Sequence, residues 1–342
     1  MRRTIVASLL VTLLVSVASS LVTTSAASAA DTPVHATFGI EPASAASNGS
    51  SPYFSFGVTA GAAVADSVVI LNYSSIPVSL QVYAADAVQA ASGGFGLLLP
   101  TQKSVGVGAW VDFHQSKVNV TLPAATTSGP SKSTVPFIVH VPLNAAPGDH
   151  AGAILASLQT IGRSKSGKKI ILNQRVGARV FVTVSGATRP GLRILNASTS
   201  VQGGLSPWQH DAVHVTYQVQ NTGNVDVSLD QHVSARGVVA DHGEVTLKNN
   251  PIIIPGGTVN ESVTIPGLWP EVLTHVAVSA TGSFVSVQGV HETVSASAST
   301  WVLTFPWVGL FILVVLVALL WWRRRRRLGH NETAAIVVER DA

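Results

Sequence analysis

The segment Gly162-Arg163-Ser164-Lys165-Ser166-Gly167-Lys168-Lys169 has the spacing of a phosphate-binding loop up to its last position. Such a loop cradles phosphate with backbone N–H groups, reaches it with a lysine, and turns a Ser or Thr hydroxyl toward magnesium. Lys169 stands where that hydroxyl belongs. The sequence is strand-like on both sides, whereas a phosphate loop needs a helix N-terminus to receive the anion. The segment therefore reads as a solvated hairpin loop. Its basic tip, Lys165, Lys168 and Lys169, is a candidate contact for an anionic polymer.

Histidine is the next candidate. His210, His214, His232, His242, His275 and His291 crowd the second half of the chain. Zinc needs three or four ligands converging within bonding distance. His210 and His214 are four apart but straddle a strand start, and the glutamate of a zincin helix is missing. No metal and no cofactor is assigned. For hydrolysis there is no G-x-S-x-G elbow and no helix to carry one. Asp149 and His150 sit in a Pro147-Gly148 turn, where an aspartate ordinarily accepts backbone N–H bonds. Asp86 and Asp112 are a conceivable carboxylate pair, but nothing in the sequence brings them face to face across a cleft. With no cysteine, thiol catalysis, thiolate zinc sites and disulfides are excluded. The sequence reads as non-enzymatic.

Tryptophan offers binding chemistry instead. A ring in a loop stacks on a sugar or anchors a protein contact. Trp110 ends a glycine-rich segment and Trp208 precedes a strand, so both are candidate ligand contacts; the competing role for each is to plug one end of a β-sandwich. Trp269, between Pro266-Gly267 and Pro270, reads as a turn plug.

The elements that would position these residues are short strands. In the first half they are expected at 34–40, 53–58, 66–71, 77–84, 105–111, 117–122, 133–141, 151–160 and 169–184, separated by Gly, Pro, Ser and Asn. That pattern indicates a sandwich. Val78, Leu80 and Val82 alternate with Ser79, Gln81 and Tyr83, so one face packs inward. After Arg189-Pro190-Gly191, further strands are expected at 192–197, 212–220, 226–233, 259–265, 272–280 and 284–290. Val213, Val215, Tyr217 and Val219 form one face there. Asn221-Thr222-Gly223-Asn224 reads as a hairpin turn. Helical periodicity is missing, so a sheet with crossover helices is not expected.

Both ends of the chain read as targeting segments. Arg2 and Arg3, an apolar run, and small residues around Ala27–Ala30 make residues 1–30 a secretory signal peptide. Residues 305–322 carry no charge and as a helix would span roughly 27 Å, near the thickness of a hydrocarbon core. Tryptophans flank the run, and Arg323, Arg324, Arg325, Arg326 and Arg327 follow as a topology signal. The expectation is an all-β protein: two Ig-like β-sandwich domains at 31–188 and 189–300, one C-terminal transmembrane helix at 302–322, and a basic cytoplasmic tail at 323–342. It would be a single-pass cell-membrane protein with its β domains outside.

The chain carries a formal net charge of +4 and a pI near 9.6, but residues 31–301 hold 13 Lys+Arg against 14 Asp+Glu. The basic balance belongs to the ends. Nucleic-acid binding needs a basic face on the folded domain, so no nucleic acid is expected. Asn48, Asn72, Asn119, Asn196 and Asn260 each begin a glycosylation-like triplet.

Four blocks carry a resemblance. They are Tyr53-Phe54-Ser55-Phe56; Val69 to Pro77 with Tyr83 to Ala87; Trp110 with Val118 to Pro123; and Phe137 to Pro142 with Ala146 to Gly152. In order and spacing they resemble the peptidoglycan-binding-like domain of the WxL-interacting proteins of Gram-positive bacteria. The resemblance implies a signal peptide, two Ig-like domains, a membrane helix and a basic end. It also implies a partner: cell-wall peptidoglycan or another exported surface protein. The family's Pro-Gly pair after the Tyr-Phe block appears here as Ala60-Gly61. The expected function is a membrane-anchored surface binding or scaffolding protein; the alternative is a purely structural Ig-like spacer with no ligand of its own.

Overall fold

A computed structural model describes residues 36–44, 51–163, 168–202, 211–238, 241–247, 251–268, 273–285, 289–303 and 307–338. The first sandwich is built from β1 (Phe38–Pro42), β2 (Phe54–Val58), β3 (Ala63–Asn72), β4 (Val78–Gln89), β5 (Phe95–Leu97), α1 (Val107–Trp110), β6 (Val111–Asp112), β7 (Val118–Leu122), β8 (Ser131–His140), β9 (Gly148–Arg163) and β10 (Lys169–Val184). One sheet runs β1-β3-β8-β6. The other runs β2-β10-β9-β4-β5, with β7 also on β4. Period-two alternation turns Val68, Ile70, Leu80, Val82, Phe137, Ile154, Val180 and Val182 into the buried layer between them. Each such side chain contributes about 1.5–3 kcal/mol through burial.

The second sandwich comprises β11 (Leu192–Gln202), β12 (Asp211–Asn221), β13 (Val227–Gly237), β14 (Asp241–Leu247), β15 (Ile252–Ile253), β16 (Thr258–Leu268), β17 (Leu273–Val285) and β18 (His291–Leu303). Its sheets are β11-β12-β16 and β14-β13-β17-β18, with β15 on β13. Val213, Val215, Tyr217 and Val219 face Leu229, Val233, Val276 and Val278 in one core.

One buried asparagine ties each sandwich in the same way. The Asn72 amide donates to the carbonyls of Ile76 (2.9 Å) and Pro123 (2.7 Å), while its oxygen accepts from Ser74 N–H. The Asn221 amide donates to Val225 O (2.7 Å) and Ile253 O (2.9 Å), and its oxygen accepts from Gly223 N–H. Both side chains are fully buried. Asn72 is therefore closed to a glycan.

The structure corrects the C-terminal expectation. Val302 and Leu303, expected to open a membrane anchor, are the last residues of β18, paired with Thr274 and Leu273. The helix that follows, α2 (Trp307–Val338), continues through all five arginines. Its apolar part with described side chains, residues 309–322, is about 21 Å long at 1.5 Å per residue, against about 30 Å of hydrocarbon. Among the described residues no helix is long and apolar enough to cross a membrane. The transmembrane helix at 302–322 and the bilayer contact through it are withdrawn. With them go the single-pass cell-membrane localisation and the membrane-anchored binding of peptidoglycan or an exported partner. The topology role of Arg323 to Arg327 rested on that helix. The leader at 1–30 lies outside the described residues.

Several strand expectations also change. Of the strand expected at 105–111 only Val111 is one, in β6, because the buried Asp86 carboxylate collects amides of the residues before it. It accepts from Val105 N–H (2.7 Å), Gly106 N–H (2.8 Å) and Gly108 N–H (2.6 Å), which winds the chain into α1. Gly108 is needed there, since a Cβ would strike the Ala85 backbone. Phe284 and Val285 of the strand expected at 284–290 are the end of β17, and residues 286–288 lie outside the described residues. Asn221–Asn224 joins β12 in one sheet to β13 in the other, so it is a crossing between sheets rather than a hairpin.

Candidate functional site: the joint between the sandwiches

The most densely bonded polar cluster lies where the two sandwiches meet. It is built from the turn entering β9 and the turn leaving β12. Gly148 has φ +118, a conformation open to glycine, and any Cβ there would overlap the Asn224 carbonyl oxygen. That closeness lets Asp149 N–H donate to Asn224 O at 2.8 Å. Asp149 then bridges the sandwiches with both carboxylate oxygens. One accepts from Thr183 Oγ1 of its own sandwich (2.7 Å), the other from Asp226 N–H of the second (2.9 Å).

Asn224 answers from the other side. Its amide donates to Pro147 O (2.8 Å) and Ala187 O (2.9 Å), and its side-chain oxygen accepts from Arg189 N–H (2.6 Å). Its own N–H donates to Arg189 O at 3.0 Å, and Thr222 N–H donates to Gly191 O at 2.9 Å. The linker is thereby clamped along its length. A second station stands on β4 and the turn after it. Gln89 accepts from Ile254 N–H at 3.1 Å, and Ala91 O accepts from Asn260 N–H at 2.8 Å. Beside the clamp lies a cleft of about 740 Å³ lined by Tyr53, Arg179, Phe181, Asp226 and Phe284.

Asp226 is the one strained titratable group of the joint. Burial, reinforced by the neighbouring Asp149 carboxylate, pushes it from 3.8 up to about 7. Its Oδ1 is enclosed and has no partner among the described residues. Between about pH 4 and pH 7 the folded protein keeps this proton while the unfolded chain releases it. Stability therefore falls as pH rises through that window and levels off above it. Asp226→Asn is expected to flatten this slope and to raise stability above pH 7 by roughly 2–4 kcal/mol. Urea titrations from pH 4 to pH 8 check it; an unchanged slope in the variant contradicts the assignment.

The residues singled out in the sequence are dispersed. Trp110 is buried at the end of α1, its ring 4.7 Å from that of His150. Lys168 and Lys169 are exposed at the start of β10, and Arg323, Arg324 and Arg325 are exposed on α2. Trp208, Trp269, His210 and Lys165 lie outside the described residues.

The described candidate catalytic groups are engaged in structural bonds. His150 Nε2 is bonded to Ala146 O at 2.8 Å, and Asp149 is engaged across the joint. Asp86 is saturated by backbone amides, and Asp112 accepts from His114 N–H at 2.7 Å. His214 lies between Thr264 and Ser262, and His232 beside Glu244 and Thr246. Among the described residues no three His, Asp or Glu come together to hold a metal.

No family model matches the chain, and no curated protein matches it. Solved structures similar to it include a chaperone–tip adhesin complex of CFA/I fimbriae biogenesis, at 11% identity and a TM-score of 0.35 over 77% of this chain and 98% of that one. The class 5 fimbriae chaperone CfaA gives 11% identity and a TM-score of 0.32 over 76% and 98%. The E. coli chaperone DraB gives 10% and 0.30 over 77% and 98%. At these scores the likenesses carry no argument about this protein, and its reading rests on its own geometry.

Proposed function

We propose that the protein is a structural spacer: two β-sandwiches held at a fixed mutual orientation, with no catalytic chemistry. The supporting observation is the clamp in which Asp149 and Asn224 each bond across the joint while the linker is bonded to the second sandwich. Joined domains move relative to each other by default unless something holds them. Here hydrogen bonds at two separated stations resist both bending and twisting. The resemblance to WxL-interacting proteins agrees with a two-module build and transfers no ligand.

The test is backbone 15N relaxation on the full chain. A rigid spacer gives one rotational diffusion tensor that fits amides of both sandwiches. Two separate correlation times would contradict it.

A further inference from the structure

Strand β10 outruns the sandwich it belongs to. Its even-numbered positions face the core: Ala178, Val180, Val182 and Val184 are buried. The same face continues outward through Val176, Gln174, Leu172 and Ile170; the three aliphatic side chains have left the core and are exposed at 38%, 48% and 38%. Its odd-numbered face carries Lys169, the exposed Ile171, Arg175, which donates to Leu98 O at 3.3 Å, and Arg179, which sits over the Phe95 ring. On one edge β10 is paired with β9 along its whole length. On the other, β2 pairs only with Val180–Val184. Among the described residues no strand pairs that edge over residues 169–179. The ribbon thus presents unpaired backbone donors and acceptors beside a row of exposed aliphatic side chains. That combination is a template for another strand.

Charge selects the occupant. Residues 158–176 contain basic residues and no Asp or Glu. Two copies of β10 set edge to edge would bring like charges together, which is unfavourable. The geometry points to an extended segment of a different chain that alternates apolar with acidic residues and adds to the β10 edge over 169–179. Its apolar side chains would extend the core face beside Ile170, Leu172 and Val176. Its carboxylates would fall on the opposite face, nearest Lys169, with Arg175 contributing charge from its bond to Leu98 O. Main-chain hydrogen bonds supply affinity in such an addition, and the alternating side chains supply selectivity. This goes beyond the spacer reading and does not depend on the joint.

The experiment uses the full chain and two synthetic peptides, one alternating valine with glutamate and one alternating valine with lysine. Fluorescence anisotropy reads affinity, and hydrogen–deuterium exchange reads the site. The glutamate peptide is expected to bind and to slow amide exchange within 169–179. Ile170→Glu with Leu172→Glu should weaken it at least about tenfold, or about 1.4 kcal/mol. Lys169→Glu with Arg175→Glu should reverse the preference toward the lysine peptide, which shows that the variant is folded and competent. The inference is overturned if neither peptide protects 169–179 or if the wild type binds both equally. Concentration-dependent self-association through this edge, or protection of 169–179 only by anionic lipid vesicles, overturns it as well.

Discussion

Gly148→Ala is expected to release the joint and to destabilise the fold. The new methyl would occupy the position of the Asn224 carbonyl oxygen, so the two turns must separate. A left-handed φ of +118 adds backbone strain of about 1–2 kcal/mol for a residue with a Cβ. Separation in turn breaks the Asp149 N–H to Asn224 O bond and draws Asp149 away from Asp226 N–H. A total loss of about 3–5 kcal/mol is expected, within the range where single changes are exceptional. Thermal unfolding would show a lower midpoint, and the single transition should split as the sandwiches uncouple. A variant that unfolds like the wild type would show that the close approach at Gly148 does not hold the joint.

Asn221→Ala should be nearly as costly, by a different route. Its amide is the partner of two buried carbonyls on separate segments, Val225 and Ile253, and its oxygen satisfies Gly223 N–H. Truncation strands the two buried carbonyls, and in part the half-buried Gly223 N–H, at about 1–3 kcal/mol for each unsatisfied buried group before relaxation. A net loss of about 3–4 kcal/mol is expected, read by urea unfolding. Because Gly256 N–H donates to Asn221 O and Asn221 N–H donates to Gly257 O, the backbone itself stays anchored. The loss should therefore appear as stability, with the native strand content by circular dichroism unchanged. Asn72→Ala should behave alike in the first sandwich.

How much of this could be read from the sequence depended on which residues carried the signal. Alternating valines announced their faces: Val213, Val215, Tyr217 and Val219 are all buried in one core layer. Strand β18 is faint in the sequence because alternating Ser and Ala over 295–299 lack the β-branched bulk that marks a strand. The segment before Trp110 reads as a strand locally, and only the buried Asp86, about twenty residues earlier, turns it into a helix. The C-terminal apolar run reads as one span by composition, yet its first residues are captured by pairing with β17, which no local pattern foretells. The joint was the least legible part. Asp149 and Asn224 stand in two ordinary Gly-Asp and Gly-Asn turns, and their partnership exists only after both sandwiches have folded. Asp149 was expected to fix its own turn; it holds the neighbouring sandwich instead. One cue was present in the sequence: both Asn72 and Asn221 end a valine-rich strand and precede Val-Ser-Leu by a few residues.

The most direct measurement is the distance distribution between spin labels on the two sandwiches. The chain has no cysteine, so Gln115→Cys and Ser297→Cys, both at exposed positions, can be labelled without removing a native thiol. Double electron–electron resonance should return one narrow distance peak in the otherwise wild-type chain and a broad distribution when Asn224→Ala is added. A broad distribution already present without that change would contradict the fixed joint on which the spacer reading stands.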